Sequence, residues 1–154
     1  MEIFFKKTED AYIQSLKSTM NGSRKTIYPL LSTTEGISSW FPQLSFRDNE
    51  LVFDQGNNEE EIMKVLETEQ DKHISFTWDI GKVSITLNDS KGKTDITIVS
   101  ELPFEFSHII RDFTGWQYQI QNLNHVYETG EILPLDKFDF EKVESEIDSL
   151  IKKI

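Results

Sequence analysis

The sequence predicts an α+β fold, a curved antiparallel sheet of about six to seven strands around a long C-terminal helix. Two short helices follow the first strand, and an extra terminal helix ends the chain. Three patterns carry this reading. Between Leu44 and Leu102 apolar and polar residues alternate at a period of two, broken by turn clusters. Between Phe113 and Tyr127 apolar residues recur at steps of three and four. Between the Asn21-Gly22-Ser23 turn cluster and Pro42 there is room only for a helical corner.

Taken in order, residues 11–20 alternate, with Tyr12, Gln14, Leu16, Ser18 and Met20 on one side. They read as the first strand, although Thr8-Glu9-Asp10 has the composition of a helix start. Residues 24–31 read as a short helix with Ile27, Leu30 and Leu31 inward. Ser32-Thr33-Thr34-Glu35 has the form of a capping box, the Ser32 hydroxyl accepting from the amide of Glu35, and opens a second short helix over 33–39. Pro42 stops it.

Phe46, then Leu51 and Phe53, mark paired strands around Arg47-Asp48-Asn49, and residues 54–58 form a turn. Residues 61–69 set Met63, Val65 and Glu67 opposite Ile62, Lys64 and Leu66. Ile74, Phe76 and Trp78 alternate with Ser75, Thr77 and Asp79. Val83, Ile85 and Leu87 follow Gly81, residues 88–92 are a hairpin signal, and Ile96 and Ile98 close the run. Short links and one apolar face mean an antiparallel meander. The long helix carries Phe113, Trp116, Ile120, Leu123 and Tyr127 as one stripe, with Gly130 as its C-cap and Pro134 beyond. A second stripe, Phe140, Val143, Ile147, Leu150 and Ile154, makes the terminal amphipathic helix. With no repeat, low-complexity tract or linker, residues 1–154 are expected to be a single domain, its core at 11–130 and the helix of 135–154 added to it.

Composition narrows the chemistry. A net charge of −11 repels phosphate backbones and anionic lipid surfaces, which disfavours nucleic-acid and membrane-surface binding and otherwise serves solubility. No stretch approaches the roughly 20 apolar residues of a membrane helix. The opening Met1-Glu2-Ile3-Phe4-Phe5-Lys6-Lys7 has no continuous apolar run or cleavage site, so the cytoplasm is the expected location. Cysteine is absent, which removes disulfides, thiolate nucleophiles and cysteine-based zinc sites together. Aromatic residues make up 12% of the chain against a hydrophobic share of only 37%, so rings supply much of the core. Each ring buries about 150–250 Å². Such rings wall a cavity as readily as they fill one.

Four segments, in order, resemble a known family. Residues 30–42, Leu-Leu-Ser-Thr-Thr-Glu-Gly-Ile-Ser-Ser-Trp-Phe-Pro, are similar to its "LT-x-x-E-x-L-x-x-W-F" segment. His73-Ile74-Ser75-Phe76-Thr77-Trp78 resembles its "hydrophobic-x-F-T-W" strand. Thr94-Asp95-Ile96-Thr97-Ile98 resembles the strand after its hairpin, and Gly115-Trp116, followed by Asn122-Leu123, resembles its final long helix. The family is the START-like (SRPBCC) superfamily, with its helix-grip fold, in the branch named for the activator of the heat-shock-protein-ninety ATPase. The likeness spans about 11–130; the first ten residues and the helix after Pro134 fall outside the usual pattern. The resemblance implies a cavity between sheet and long helix, used in the superfamily for a lipid, sterol, polyketide or other apolar small molecule. It does not by itself imply an activity.

The expected ligand-binding residues, lining that cavity, are Trp40, Phe41, Phe46, Phe53, Phe76, Trp78, Ile85, Phe113, Trp116, Ile120, Leu123 and Tyr127, which also suit an ordinary core. No catalytic set is assigned. Asp79, Asp112 and Glu128 are the carboxylates that could line a cavity mouth and act as general acids, although Asp112 also suits a helix N-terminus and Glu128 a solvated face. His73, His108 and His125 show no metal-ligand spacing, so neither a metal nor another cofactor is expected. Gly-x-Ser-x-Gly and glycine-rich phosphate loops are absent. The expected function is non-enzymatic binding of a small hydrophobic or amphipathic ligand. The alternatives are a chaperone-associated protein-interaction module and a cyclase- or hydrolase-like enzyme in the same cavity. A monomer or weak dimer is expected, the terminal helix either docked on its own domain or joining two copies.

Overall fold

A computed structural model describes residues 1–154. Eight strands, β1 (Glu2–Lys7), β2 (Ala11–Asn21), β3 (Leu44–Arg47), β4 (Glu50–Gly56), β5 (Glu59–Glu69), β6 (His73–Trp78), β7 (Gly81–Ser90) and β8 (Lys93–Pro103), form one sheet. Its order is β1-β2-β8-β7-β6-β5-β4-β3, antiparallel at every pairing. Three helical turns, α1 (Arg24–Ile27), α2 (Pro29–Ser32) and α3 (Thr34–Ser38), connect β2 to β3. The long helix α4 (Ile109–Thr129) follows β8, and α5 (Phe140–Ile151) ends the chain after a 3-10 turn at Leu135–Lys137.

The meander follows from its turns. Asn57 and Asn58 both take positive φ, 54° and 63°, the mirror-image turn that matches the right-handed twist of a hairpin. At the β7–β8 hairpin the strands run to Ser90 and resume at Lys93, so the turn narrows to Lys91-Gly92. A shift of register in the β5–β6 pairing between Val65 and Glu67 bends the sheet locally.

The strand count exceeds the expected six to seven because residues 2–7 form β1. Its Ile3-Phe4-Phe5 run does not alternate with polar residues, and it pairs along β2 from Glu2 opposite Lys17 to Lys7 opposite Tyr12. Only Phe5 packs inward, its ring 5.8 Å from that of Phe113, while Phe4 stays exposed on the sheet edge.

The corner also departs from expectation. Residues 24–31 are not one helix: Pro29 has no N–H to continue α1 and instead opens α2 at its first position. The cap of α3 falls on Thr33, whose Oγ1 accepts from the amide of Gly36 at 2.9 Å, while the Ser32 hydroxyl donates back to the Tyr28 carbonyl at 3.1 Å. α2 and α3 meet so closely at Gly36 that a Cβ there would lie 1.9 Å from the Pro29 carbonyl oxygen. The Trp40 indole N–H donates to the Leu30 carbonyl at 2.8 Å, and the Asn122 amide donates to the Trp40 carbonyl at 2.6 Å, which ties the corner to α4.

α4 lies across the sheet. Trp116, Ile120, Leu123 and Val126 join Leu16, Phe76, Val83, Ile85 and Ile98 in the main core, with Tyr127 partly buried against it. Phe113 belongs to a smaller cluster with Leu102, Ile147 and Ile151. Beneath the helix Gln14 donates to the Phe113 carbonyl at 3.0 Å and accepts from the Gln117 amide at 2.9 Å, which satisfies two buried side-chain amides together. Gly130 caps α4 in the left-handed region. α5 docks on its own chain, but along Val143-Ile147-Ile151. Steps of four residues carry the contact line away from Leu150, which is 45% exposed, and Ile154 lies beyond the helix end.

Candidate functional site

The site begins where β6 ends. Trp78 is its last residue, and Asp79 turns the chain with φ 54° into β7. Across from it, the first turn of α4 presents Asp112. The Trp78 indole N–H donates to Asp112 Oδ1 at 3.0 Å. One helical turn on, Trp116 packs edge-on against Trp78 with ring centroids 5.1 Å apart. Phe41, carried out of the helical corner, stands 6.1 Å from Trp78 and 5.9 Å from Trp116. Phe53 of β4 closes the group, 5.8 Å from Phe41 and 6.0 Å from Trp78. Edge-to-face contacts at these spacings hold the rings in fixed orientations.

These four rings form one wall of a cleft of about 780 Å³ that opens to solvent. The loop before α4, the exposed side of α4 and the segment entering α5 supply the rest of the lining, including Phe106, Tyr118, Leu135 and Phe140. Polar groups enter among them: Gln55, Glu61, Asp79, His108, Arg111, Asp112 and Gln119. The volume falls in the range of small-molecule sites, and the lining mixes 8 hydrophobic residues with a nearly equal number of polar ones.

Asp112 is the most perturbed of these. Burial pushes its carboxyl up to about 6, the Trp78 hydrogen bond pulls it partly back, and the charges of Glu61 and Asp79 raise it further. The position near the N-terminus of α4 would by itself favour the charged form, so burial and like charge outweigh it. Its Oδ2 is buried and makes no hydrogen bond of good geometry, although the nearby Trp116 indole also lowers the carboxyl somewhat. Glu61 is raised as well, by burial first and Asp79 second, and its Oε2 accepts from the Gln55 amide at 3.3 Å.

Of the expected lining residues, Phe53 and Trp78 border the cleft as partly exposed rings, and Phe41 and Trp116 border it as buried members of the main core. Trp40, Phe76, Ile85, Ile120 and Leu123 are packed in the main core, and Phe113 is packed in the smaller one. Phe46 and Tyr127 lie partly buried against the main core, outside the cleft lining. The hollow therefore sits at the end of the sheet beside the first half of α4, not under the middle of the helix. Sequence reasoning had no place in the lining for Phe106, Tyr118, Leu135 or Phe140. In the structure Tyr118, Phe138 and Phe140 form a second ring group, with Phe138 and Phe140 centroids 4.6 Å apart, and the sequence shows of it only that Phe140 opens the terminal apolar stripe.

The three acid candidates separate. Asp112 and Asp79 line the cleft, Asp79 exposed at its rim. Glu128 lies at the far end of α4, where its carboxylate accepts from the Asn21 amide at 3.0 Å. His73 shares a 2.8 Å hydrogen bond with Thr86 on the sheet, and His108 sits exposed at the entry to α4 with φ 62°. No three His, Asp or Glu side chains converge on a point in metal-ligand fashion. No helix is long and apolar enough to cross a membrane.

No protein-family model matches the sequence, and no curated protein matches it. Solved structures do. EF2215 from Enterococcus faecalis, a conserved protein of unknown function, is 24% identical, with a TM-score of 0.87 over 98% of this chain and 91% of that one. CalU16 from Micromonospora echinospora is 12% identical, with a TM-score of 0.74 over 98% and 96%. The Aha1 dimer from Colwellia psychrerythraea is 18% identical, with a TM-score of 0.64 over 76% and 96%. Coverage of 98% takes in both β1 and α5, so these elements belong to the architecture shared with EF2215 and CalU16. With identities this low the likeness concerns the fold alone: one antiparallel sheet with short helices after its second strand and a long helix following its last.

Proposed function

We propose that this chain is a non-enzymatic binding module that takes a small hydrophobic or amphipathic molecule into the cleft beside α4. The observation that carries the reading is the wall of Phe41, Phe53, Trp78 and Trp116, fixed by mutual packing yet bordering an open space of about 780 Å³. Rings that only served the core would be expected to close over that space. Covering Phe53 and Trp78 with an apolar ligand removes their surface from water, worth about 25 cal/mol per Å² before the cost of association. Native mass spectrometry of the purified chain against lipids, polyketides and aromatic amphiphiles tests this, read beside the melting temperature of each mixture. A bound species with a raised melting temperature supports it. No bound species and no shift across the panel would remove it.

A second reading, a protein-interaction module of the chaperone-associated kind, draws on the free edge of β1, where Ile3 and Phe4 are 44% and 61% exposed. An unpaired edge strand with apolar side chains can accept a strand from a partner. A Phe4→Lys variant that recovers the same proteins from lysate as the unaltered chain would count against it.

A further inference from the structure

The cleft's charge is as informative as its rings. Three carboxylates enter it, Glu61 from β5, Asp79 from the β6–β7 turn and Asp112 from α4, against one guanidinium, Arg111, and the imidazole of His108. None of the three takes part in an ion pair, and neither does Arg111; the five salt bridges of the molecule all lie elsewhere. Asp112 is held in place by the Trp78 indole, which donates to Oδ1, and the Trp116 indole also favours its charged form.

The geometry points to an amphipathic amine as the ligand, its ammonium placed among Asp112, Glu61 and Asp79 and its apolar part laid on the partly exposed rings of Trp78 and Phe53. This rests on the cleft being a ligand site and names the chemical class it accepts. Each part of such a molecule meets a need of the cleft. The N–H groups donate to the carboxylates that line the cleft, the positive charge offsets the mutual repulsion of the three, and the indole faces favour a cation nearby. The raised carboxyls of Asp112 and Glu61 accord with this, since burial first and neighbouring negative charge second push both up. An anionic amphiphile of the same size would meet that repulsion itself.

Three probes sharing one ring system test the assignment: naphthalen-2-ylmethylamine, naphthalen-2-ylmethanol and 2-naphthoate, titrated by calorimetry at neutral pH and physiological salt. The expected result is an amine bound about tenfold tighter than the alcohol, with the carboxylate weakest. Asp112→Asn should bring the amine down to the alcohol's affinity while the alcohol is unchanged, and Glu61→Gln should lower the amine in the same direction through a different element. Glu128→Gln removes one negative charge far from the cleft and should leave all three affinities as they were, which separates the site from general attraction by an acidic protein. Equal binding of amine and alcohol overturns the assignment and leaves the cleft as a neutral-ligand site. An equal loss in Glu128→Gln and Asp112→Asn also overturns it. Binding of none of the three probes, repeated in the wider panel, would overturn the binding function on which the assignment rests.

Discussion

The Trp78 indole N–H and the Asp112 carboxyl meet at 3.0 Å, and this one bond joins the end of a sheet strand to the first turn of the long helix. It fixes the orientation of the ring that heads the cleft wall. The bond favours the charged form of Asp112 against burial and like charge. Trp78→Phe keeps the ring and removes the donor, so the Asp112 carboxyl should rise above its value of about 6. Carboxyl carbon shifts followed by NMR through a pH titration check this; an unchanged or lowered midpoint would show that the bond does not act on the carboxyl.

The same carboxyl makes stability depend on pH. Its folded value is raised above the unfolded one, so the folded chain holds a proton that the unfolded chain releases between roughly pH 4 and 6. Stability from this group is present in full below that window and is lost as pH rises through it. Asp112→Asn cannot ionise and should therefore gain on the native chain as pH rises, by on the order of 1–3 kcal/mol at neutrality. Glu61, Asp79, Arg111 and His108 face the same cleft. Urea unfolding of both chains at pH 4.5 and pH 7.5 reads the difference directly, and a constant gap between them would contradict the account.

Gly36 lets α2 and α3 close the corner that carries Phe41. With a Cβ 1.9 Å from the Pro29 carbonyl oxygen, Gly36→Ala must push backbone against backbone. A loss of about 2–3 kcal/mol in urea unfolding is expected, together with a changed signal from the rings of the cleft wall. A loss below half of that would mean the corner yields more easily than its hydrogen bonds suggest.

The docking of α5 predicts a contrast within a single helix. Ile147 is buried against Phe113 and Leu102, whereas Leu150 is 45% exposed. Ile147→Ala should cost about 2–4 kcal/mol, and Leu150→Ala should stay within about 0.5 kcal/mol. Similar losses at both positions would indicate a second copy covering the outer face, which a concentration-dependent melting temperature would also reveal.

Much of the fold was legible because it rests on periodicity. Met63, Phe76, Val83, Ile85 and Ile98 point inward because strands alternate, and Trp116, Ile120 and Leu123 do so because helices repeat every three to four residues. Four segments that resemble the helix-grip family then set the order of elements. β1 escaped because an edge strand pairs through its backbone and Ile3-Phe4-Phe5 carries no alternation. The corner escaped in detail because Pro29 and Thr33 each move a helix boundary by a few residues. The site was legible only in part, for a physical reason: periodicity says that Phe41, Phe53, Trp78 and Trp116 face inward, exactly as it says of Trp40, Phe76 and Leu123. Which of them border a hollow depends on how far α4 stands from the sheet end, and that distance is set by non-local packing. Asp112 was weighed as an acid at a cavity mouth, but nothing in the order of residues shows that the Trp78 indole would reach it.

The central claim is that ligands enter the cleft headed by Trp78 and Trp116 and leave the packed core beneath the helix undisturbed. An NMR titration with naphthalen-2-ylmethanol reads this through the three indole N–H signals. The Trp78 and Trp116 signals should shift on binding, while that of Trp40, bonded to the Leu30 carbonyl inside the corner, should stay in place. A shift at Trp40 and the Leu123 methyls with Trp78 unmoved would place the ligand under the helix and contradict the account.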